Sequence, residues 1–227
     1  MPVLSRILTA KRSKESDPFS IDFTRRQGGV DGFFEDMKWS LKSSVNSSSA
    51  RCIGDLGFPY IFGVNKSAGF LTTKGLWVSL DYSGKHWDPS FTGSGQAATA
   101  RSLAELLTLI AQDRLVRSIL AGDLRMLMAG EGQYAGSDLD QGIRDRLPDA
   151  EKAHTQMQGK VGYEGGVFGD CAILRRKETK SGLNLAYIAV ALGGTSHEEI
   201  RRAGAALDDC ILLGNGKAVK PPVPVPT

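Results

Sequence analysis

The stretch that decides the fold is residues 155–192, which reads TQMQGKVGYEGGVFGDCAILRRKETKSGLNLAYIAVAL. Apolar and polar side chains alternate in it with a two-residue period, which predicts strands at residues 155–163, 169–176 and 183–192. The third segment is apolar on both faces, as is typical of a strand inside a sheet. The polar residues 177–182 have the length of a hairpin turn, so we expect these strands to form an antiparallel sheet.

Upstream of this sheet the spacing of apolar residues is helical. The clearest amphipathic helix begins near Thr99. Its expected cap is Thr99 or Ser102, and Glu105 completes a Ser-x-x-Glu capping box. Asp31 is the expected cap of an earlier helix, and Pro148 is expected to end the helical run. The other helices predicted by the same spacing are at 32–42, 50–56 (after a polar segment at 43–49), 59–66, 117–128 and 138–147.

Downstream of the sheet, Ser196 and Glu199 form a second capping box, which opens a helix that ends near residue 213. A helical run, then hairpin-linked strands and one closing helix, predict an α+β fold: a helical lobe plus an antiparallel β-sheet with a packed C-terminal helix. The predicted organisation is an N-terminal segment 1–30 with one possible strand at 19–23, a mainly helical lobe 31–150 with a surface excursion at 71–95, the sheet and C-terminal helix 151–214, and a disordered proline-rich tail 215–227.

Composition and charge argue against several classes of protein. The 227 residues include 28 basic and 25 acidic side chains spread along the chain, and a net charge of +3 is no electrostatic footprint for nucleic acid. The longest uncharged apolar run, 183–194, is about half of the ~20 residues that a membrane helix requires, so no membrane span is expected. The first residues place an apolar patch before positive charge, the reverse of a signal peptide, so no signal peptide is expected. The chain as written would be cytoplasmic, but the sequence leaves the compartment unknown.

No metal or cofactor site is expected. The three cysteines contain no CxxC pair and are expected to be buried free thiols: Cys52, Cys171 and Cys210. The three histidines lack the spacing of metal ligands: His86, His154 and His197. Gly93-x-Gly95-x-x-Ala98 and its copy at 130–135 follow no convincing strand and are interpreted as turns. Asp138-x-Asp140 lacks the other positions of a calcium loop and is interpreted as a solvated helix start.

Two tripeptides suggest a functional site. Ser44-Val45-Asn46 lies between two predicted helices, and Lys160-Val161-Gly162 lies on the first strand of the antiparallel hairpin. A hydroxyl, a carboxamide and an ammonium that converge on one groove could orient a carboxylate-bearing acyl substrate and move protons, and a strand glycine lets the substrate backbone lie against it. The alternative is structural: Ser-x-Asn is a common turn cap, and Lys-x-Gly is equally expected from an edge-strand lysine with a hairpin glycine.

With these residues in place, the chain from about Phe34 to Leu213 resembles the later part of the serine β-lactamase and penicillin-binding transpeptidase superfamily. Ser44-Val45-Asn46 is similar to the S-D-N loop of that superfamily with valine for aspartate, and Lys160-Val161-Gly162 is similar to its K-T-G strand with valine for threonine. The resemblance implies the β-lactamase/transpeptidase-like fold, with Ser44, Asn46 and Lys160 as catalytic residues and with Gly162 and the Tyr163 amide on the substrate. The resembled proteins are often periplasmic or secreted.

One departure from the superfamily pattern bears on catalysis. The superfamily carries its nucleophile in a Ser-x-x-Lys upstream of the S-x-N loop, and no lysine of this sequence has serine three positions before it. A serine hydroxyl requires an adjacent base, so the resemblance implies an N-terminally incomplete, catalytically impaired serine hydrolase. If the chain hydrolyses acyl substrates as a β-lactamase does, Ser44 is the expected nucleophile and Lys160 its base.

The alternative function is a non-catalytic binding or assembly module on the same scaffold. The expected ligand in both cases is a small acyl or peptide-like molecule. A sheet that lacks its amino-terminal strands would leave an edge and an apolar face open. Such an edge predicts a homo-oligomer or a partner that completes the sheet.

Overall fold

The structure is a computed structural model, and it describes residues 28–67, 77–78, 96–115, 118–129, 137–178 and 182–214. The predicted strand at 19–23, the tail at 215–227 and most of the segment 71–95 lie outside these residues. The chain divides into two compact units, Met1–Ala135 and Gly136–Thr227. In the described part of the chain, no helix combines the length and the apolar character that crossing a membrane requires.

The described part of the first unit is mainly helical. Its elements are helices α1 (Gly29–Ser43), α2 (Asn46–Leu56), α3 (Phe58–Ser67), α4 (Ala100–Ala111) and α5 (Ser118–Leu127), with the short strands β1 (Trp77–Val78) and β2 (Gln96–Ala97). The two strands pair antiparallel. Each helix predicted in this part of the chain is confirmed, although the ends differ by up to four residues.

Two predicted caps in the first unit are wrong in detail. Helix α1 begins directly after Gly28, whose φ of 80° suits a residue without Cβ. Asp31 lies instead in the first turn, where its negative charge interacts favourably with the positive end of the helix dipole. In α4 Thr99 is the cap, as predicted, but its reciprocal partner is Ser102 and not Glu105. Ser102 occupies the third helical position, which faces the cap, whereas Glu105 lies nearly a full turn further along.

The packing of α1 against α2 centres on one aromatic side chain. Phe33 is 1% exposed, and Phe34, Met37, Cys52 and Leu56 pack against it. The helical spacing that predicted α1 therefore reflects a real buried face. This contact fixes the two helices that flank the Ser-x-Asn tripeptide.

The second unit contains the antiparallel sheet. Its elements are α6 (Asp138–Arg144), α7 (Asp149–Lys152), β3 (Gln156–Glu164), β4 (Val167–Lys177), β5 (Asn184–Gly194) and α8 (His197–Gly214). The strand order is β3-β4-β5, and both pairings are antiparallel. The α+β architecture with a closing helix is therefore confirmed, since α8 packs against β4, β5 and α6.

Two predictions around α6 are wrong. Pro148 does not end the helical run but caps the start of α7, where its fixed φ is compatible with a helix beginning. Asp138-x-Asp140 is not a solvated helix start, because Asp140 is 7% exposed and accepts a hydrogen bond from Arg144 at 2.5 Å. The Asp138 carboxylate accepts a bond from Arg201 of α8 at 3.2 Å. The packing of α8 on α6 buries this acidic segment.

The core of the second unit lies between the sheet and helices α6 and α8. The buried side chains that form it are Leu139, Ile143, Ala172, Leu174, Ala189 and Ile200. Cys171 is buried and free, as predicted, whereas Cys210 is exposed on α8 and that prediction is wrong. Cys210 lies on the helix face turned away from the sheet, so its helical position does not bury it.

An arginine lies at the edge of this core with its charge compensated. Arg176 of β4 donates to both oxygens of Asp208 at 3.1 and 2.9 Å and to Glu151 at 3.0 Å. Its side chain is 1% exposed. Tyr187 donates to Asp208 at 2.5 Å and completes the network. These bonds join β4 and β5 to α7 and α8.

Candidate active site

Ser44 lies in the turn between α1 and α2 and has a left-handed backbone. Its φ is 54°, and among the described residues only one other non-glycine residue has positive φ. This conformation costs an L-residue about 1–2 kcal/mol. The amides of Ser44 and Val45 both donate to the carbonyl of Trp39, so the turn closes α1 where glycine is usual. Backbone strain of this kind is common at functional sites.

Asn46 is the exposed first residue of α2, and the polar segment around it is helical, contrary to prediction. The amides of Ser48 and Ser49 donate to the carbonyl of Val45 at 3.1 Å, which begins the helix. The hydroxyls of Ser40 and Ser49 are 2.5 Å apart and connect α1 to α2. Val45 is the N-cap of α2. Ser44 therefore belongs to the end of α1, which modifies the turn-cap interpretation.

An ion pair between Asp36 and Arg51 joins the two helices on either side of this turn. Arg51 donates from Nε and Nη2 to the two oxygens of Asp36 at 2.9 and 2.5 Å, and from Nη2 to the Ser48 hydroxyl at 3.1 Å. Asp36 is 8% exposed, and a bidentate pair of this type has defined geometry. Asp36 lies on α1 and Arg51 on α2. The pair thus holds the relative position of the helices that present Ser44.

Lys160 lies on β3, which is an edge strand of the described sheet, but its side chain is half-buried. Its Nζ donates to the Val161 carbonyl at 3.1 Å. Burial lowers the pKa of Lys160, while Cys171 and Asp170 act in the opposite direction. The simple structural alternative, a fully solvated edge lysine, is therefore not what the structure shows. A partly desolvated ammonium binds an anionic group more strongly than one in water.

Gly162 and Tyr163 follow Lys160 along β3 and face opposite sides. The two-residue period puts Lys160 and Gly162 on one face and the Tyr163 side chain on the other. A Cβ on Gly162 would meet only the carbonyl of Gly169, at 3.9 Å, so the surface beside it is open. The Tyr163 side chain is on the wrong face to join Lys160, and only its backbone amide is available for the predicted substrate role.

Asp170 is a buried acid beside this strand that the sequence did not single out. It pairs with Val161 in the sheet and is 2% exposed. The amide of Leu139 donates to its Oδ2 at 3.1 Å, and its Oδ1 has no hydrogen-bond partner among the described residues. Burial raises the pKa of Asp170 to about 6, and the Leu139 amide and Ser137 oppose this shift. The carboxyl of Asp170 therefore titrates near pH 6, about two pH units above an ordinary aspartate.

We expect Asp170→Asn to remove a pH dependence of stability. The carboxyl has a folded-state pKa of about 6 against 3.8 unfolded, so the native state binds more protons between these values. Its contribution to stability is fully present below pH 4, falls as pH rises to about 6, and ends about 3 kcal/mol lower. The difference in unfolding free energy between variant and wild type, measured by urea titration at several pH values, should grow over this window.

Asp149→Asn is the matched control, because the Asp149 side chain is 97% exposed. That variant should follow the wild-type profile. A constant difference between Asp170→Asn and wild type from pH 4 to 7 would contradict the shifted pKa.

The predicted site residues fall in two groups. Ser44 and Asn46 are close together in the first unit, and Lys160 and Gly162 share a strand face in the second. Convergence of the two groups on one groove stays a prediction.

The contact of His197 with Asp138 was missed, because the two residues are 59 positions apart and neither has a motif. Asp170 had a detectable signal, since it is an acid at an inward position of an alternating strand.

Comparison with solved structures identifies this arrangement of elements. The chain is similar to a β-lactamase from Sphaerobacter thermophilus DSM 20745, with 15% identity and a TM-score of 0.56 over 86% of this chain and 65% of that chain. It is similar to a β-lactamase from Chitinophaga pinensis DSM 2588, with 13% identity and a TM-score of 0.53 over 81% of this chain and 64% of that chain. It is also similar to PBP-A, with 17% identity and a TM-score of 0.54 over 79% of this chain and 61% of that chain. The chain has the β-lactamase/transpeptidase-type fold.

The resemblance inferred from the sequence is therefore confirmed at the level of the fold. The chain spans 65%, 64% and 61% of the lengths of these three proteins, slightly less than two thirds. No family model and no curated protein matches the sequence.

Proposed function

We propose that this chain binds small carboxylate-bearing acyl ligands, such as β-lactams or acyl peptides, in a groove marked by Ser44, Asn46, Lys160, Gly162 and Tyr163. The observation that carries the proposal is the position of the two tripeptides in a chain of β-lactamase-type fold. One occupies the turn between two helices, and the other lies on an edge strand of the sheet.

Each proposed role follows from the chemistry of the group. The Lys160 ammonium, partly removed from water, would pair with the ligand carboxylate. The Asn46 carboxamide, at the exposed start of α2, would hydrogen-bond the acyl group. Gly162 leaves space for an extended ligand to lie along β3, and the Tyr163 amide would donate to the acyl oxygen.

Binding is proposed in preference to turnover because the activating pair is not in the sequence. Serine is a weak nucleophile unless a base accepts its proton, and the 227 residues contain no Ser-x-x-Lys. If turnover occurs in this chain, Ser44 would attack the acyl carbon and Lys160 would accept its proton. The lowered pKa of Lys160 favours that role, since a neutral amine is required.

We expect Lys160→Met to weaken binding of benzylpenicillin by about 10- to 100-fold, the effect of losing a hydrogen bond to a charged group. Isothermal titration calorimetry with the full chain measures this change. Lys177→Met is the control, because Lys177 lies exposed at the end of β4 in the same unit, and it should bind as wild type does. Equal affinities for all three proteins, or no binding by wild type, would overturn the proposed groove.

Ser44→Gly separates the role of the hydroxyl from the role of the fold. The variant removes the hydroxyl and relieves the left-handed strain, so it should bind more weakly and yet be about 1 kcal/mol more stable. Intact-mass spectrometry after incubation with benzylpenicillin should show no covalent adduct on wild type. An adduct that maps to Ser44 would instead establish the catalytic interpretation.

A second candidate function, assembly, is favoured by β5. This strand contains no charged residue over its 11 positions, and among the described residues it pairs only with β4. Unprotected strand edges of this kind pair readily with other strands. Sedimentation velocity tests this alternative. If the chain binds no penicillin and associates as its concentration rises, a partner or a second copy at this edge is favoured.

A further inference from the structure

Three aromatic rings cluster where the β3–β4 hairpin meets the start of α8. The ring centroids of Tyr163 and Phe168 are 4.8 Å apart, and those of Phe168 and His197 are 4.6 Å apart in an edge-to-face arrangement. The Tyr163 and His197 centroids are 6.3 Å apart. Tyr163 is 69% exposed, and the His197 side chain is 63% exposed. We call this surface the aromatic shelf.

Asp138 fixes the imidazole of the shelf. The Nδ1 atom of His197 is 2.7 Å from Asp138 Oδ2, and the other oxygen of the same carboxylate accepts a bond from Arg201 at 3.2 Å. An ionised carboxylate only accepts hydrogen bonds, so Nδ1 must carry the hydrogen. In the neutral ring, Nε2 is then an acceptor. No described group donates to it.

The shelf shares only Tyr163 with the proposed acyl groove, through different groups: the Tyr163 ring belongs to the shelf and its backbone amide to the groove. Tyr163 and Phe168 project from the face of the sheet that α6 and α8 cover, where Phe168 packs against the core, whereas Lys160 and Gly162 face the other side. Phe168 anchors the shelf in the core, whereas Tyr163 and His197 leave exposed ring surface beside the oriented acceptor. Grouped exposed apolar surface of this kind is characteristic of binding sites.

We propose that the aromatic shelf binds a planar aromatic group that carries an N–H or O–H donor, of the indole or phenol type. The ligand ring packs on Tyr163 and Phe168, and its donor bonds to Nε2 of His197. Asp138 is a positioning residue, since it acts through the histidine by holding the hydrogen on Nδ1. A ligand without a donor would displace water from Nε2 without replacing its hydrogen bond and would bind less well.

Indole and 1-methylindole test this proposal, because a methyl group replaces the N–H hydrogen of indole in 1-methylindole and so removes the donor. In titrations of the full chain followed by NMR, indole should shift the resonances of Tyr163, Phe168 and His197 at millimolar concentration. It should bind about three- to tenfold more tightly than 1-methylindole. His197→Phe keeps a ring but removes Nε2, so the two affinities should become equal. His154→Phe is the control, since His154 is exposed and belongs to no ring pair of the shelf.

Asp138→Ala supplies a readout that a purely structural role would not move. Without the carboxylate, the hydrogen of neutral His197 should redistribute toward Nε2, which the ¹⁵N chemical shifts of the ring report. The preference for indole should fall with it. Equal affinities of wild type for the two ligands, no shifts at the three ring residues, or a preference that survives in His197→Phe would each overturn the proposal. Benzylpenicillin titrations of His197→Phe and Asp138→Ala keep the two proposals apart, since neither residue belongs to the proposed acyl groove.

Discussion

Arg176→Met should lower the free energy of unfolding by about 3–5 kcal/mol, the effect of breaking a buried ion pair from one side. The substitution retains most of the side-chain volume but leaves Glu151 and Asp208 as two buried carboxylates, which are 6% and 7% exposed, without their shared cation. Urea denaturation at pH 7 measures the loss.

A rescue experiment identifies the cause of that loss. Combining Arg176→Met with Glu151→Gln and Asp208→Asn removes all three charges and should recover most of the stability. Tyr187→Phe, which deletes a single hydrogen bond to Asp208, should cost no more than about 1.5–3 kcal/mol. A loss below about 1 kcal/mol for Arg176→Met, or no recovery in the triple variant, would show that the network is not what stabilises this unit.

Gly142→Ala should destabilise the protein by about 3 kcal/mol, at the upper end of the range for overpacking. A Cβ at this position of α6 would collide with the backbone carbonyl of Arg201 on α8, and a backbone neighbour cannot move aside as a flexible side chain can. Gly204 makes the reciprocal approach, since its Cβ would come within 2.5 Å of the Leu139 carbonyl. Thermal or urea unfolding measures the effect.

Gly54→Ala is the matched control for this glycine. Gly54 lies within α2, and a Cβ there would meet nothing within 4 Å beyond the backbone of its own helix, so alanine should stabilise that helix by up to about 1 kcal/mol. Opposite signs for the two substitutions are the expected result. A neutral Gly142→Ala would mean that α6 and α8 are further apart than the structure places them.

Local pattern was sufficient for the larger elements of the described chain, but it missed the short helix α7 and the short strand β2. The two-residue alternation in 155–192 predicted β3, β4 and β5 within about two residues, because a sheet that is buried on one face imposes that period on the sequence. Helix starts were less accurate. The position of α2 depended on backbone bonds to Val45, which a run of serines does not reveal, and α1 began at a glycine that the capping rule passes over.

In the candidate site too, local sequence pattern predicted some features and only the packing of distant elements produced the others. The tripeptides marked Ser44 and Lys160, but the left-handed φ of Ser44 and the half-burial of Lys160 depend on how neighbouring helices and strands pack. The face of Tyr163 could have been read from the strand period. The pKa of Asp170 could not, since it arises from burial under α6, which begins more than 30 residues earlier in the chain.

The sequence by itself therefore determined the order and type of the larger elements, the antiparallel sheet with its closing helix, and the resemblance to the β-lactamase-type fold, because these depend on periodicities and motifs that span a few residues. Only the tertiary structure decided which charges meet. Arg176 pairs with Glu151 and Asp208, which are 25 and 32 residues away in the sequence, and Asp138 contacts His197, which is 59 residues away. Such contacts depend on the packing of whole elements, and a linear pattern contains no record of that packing.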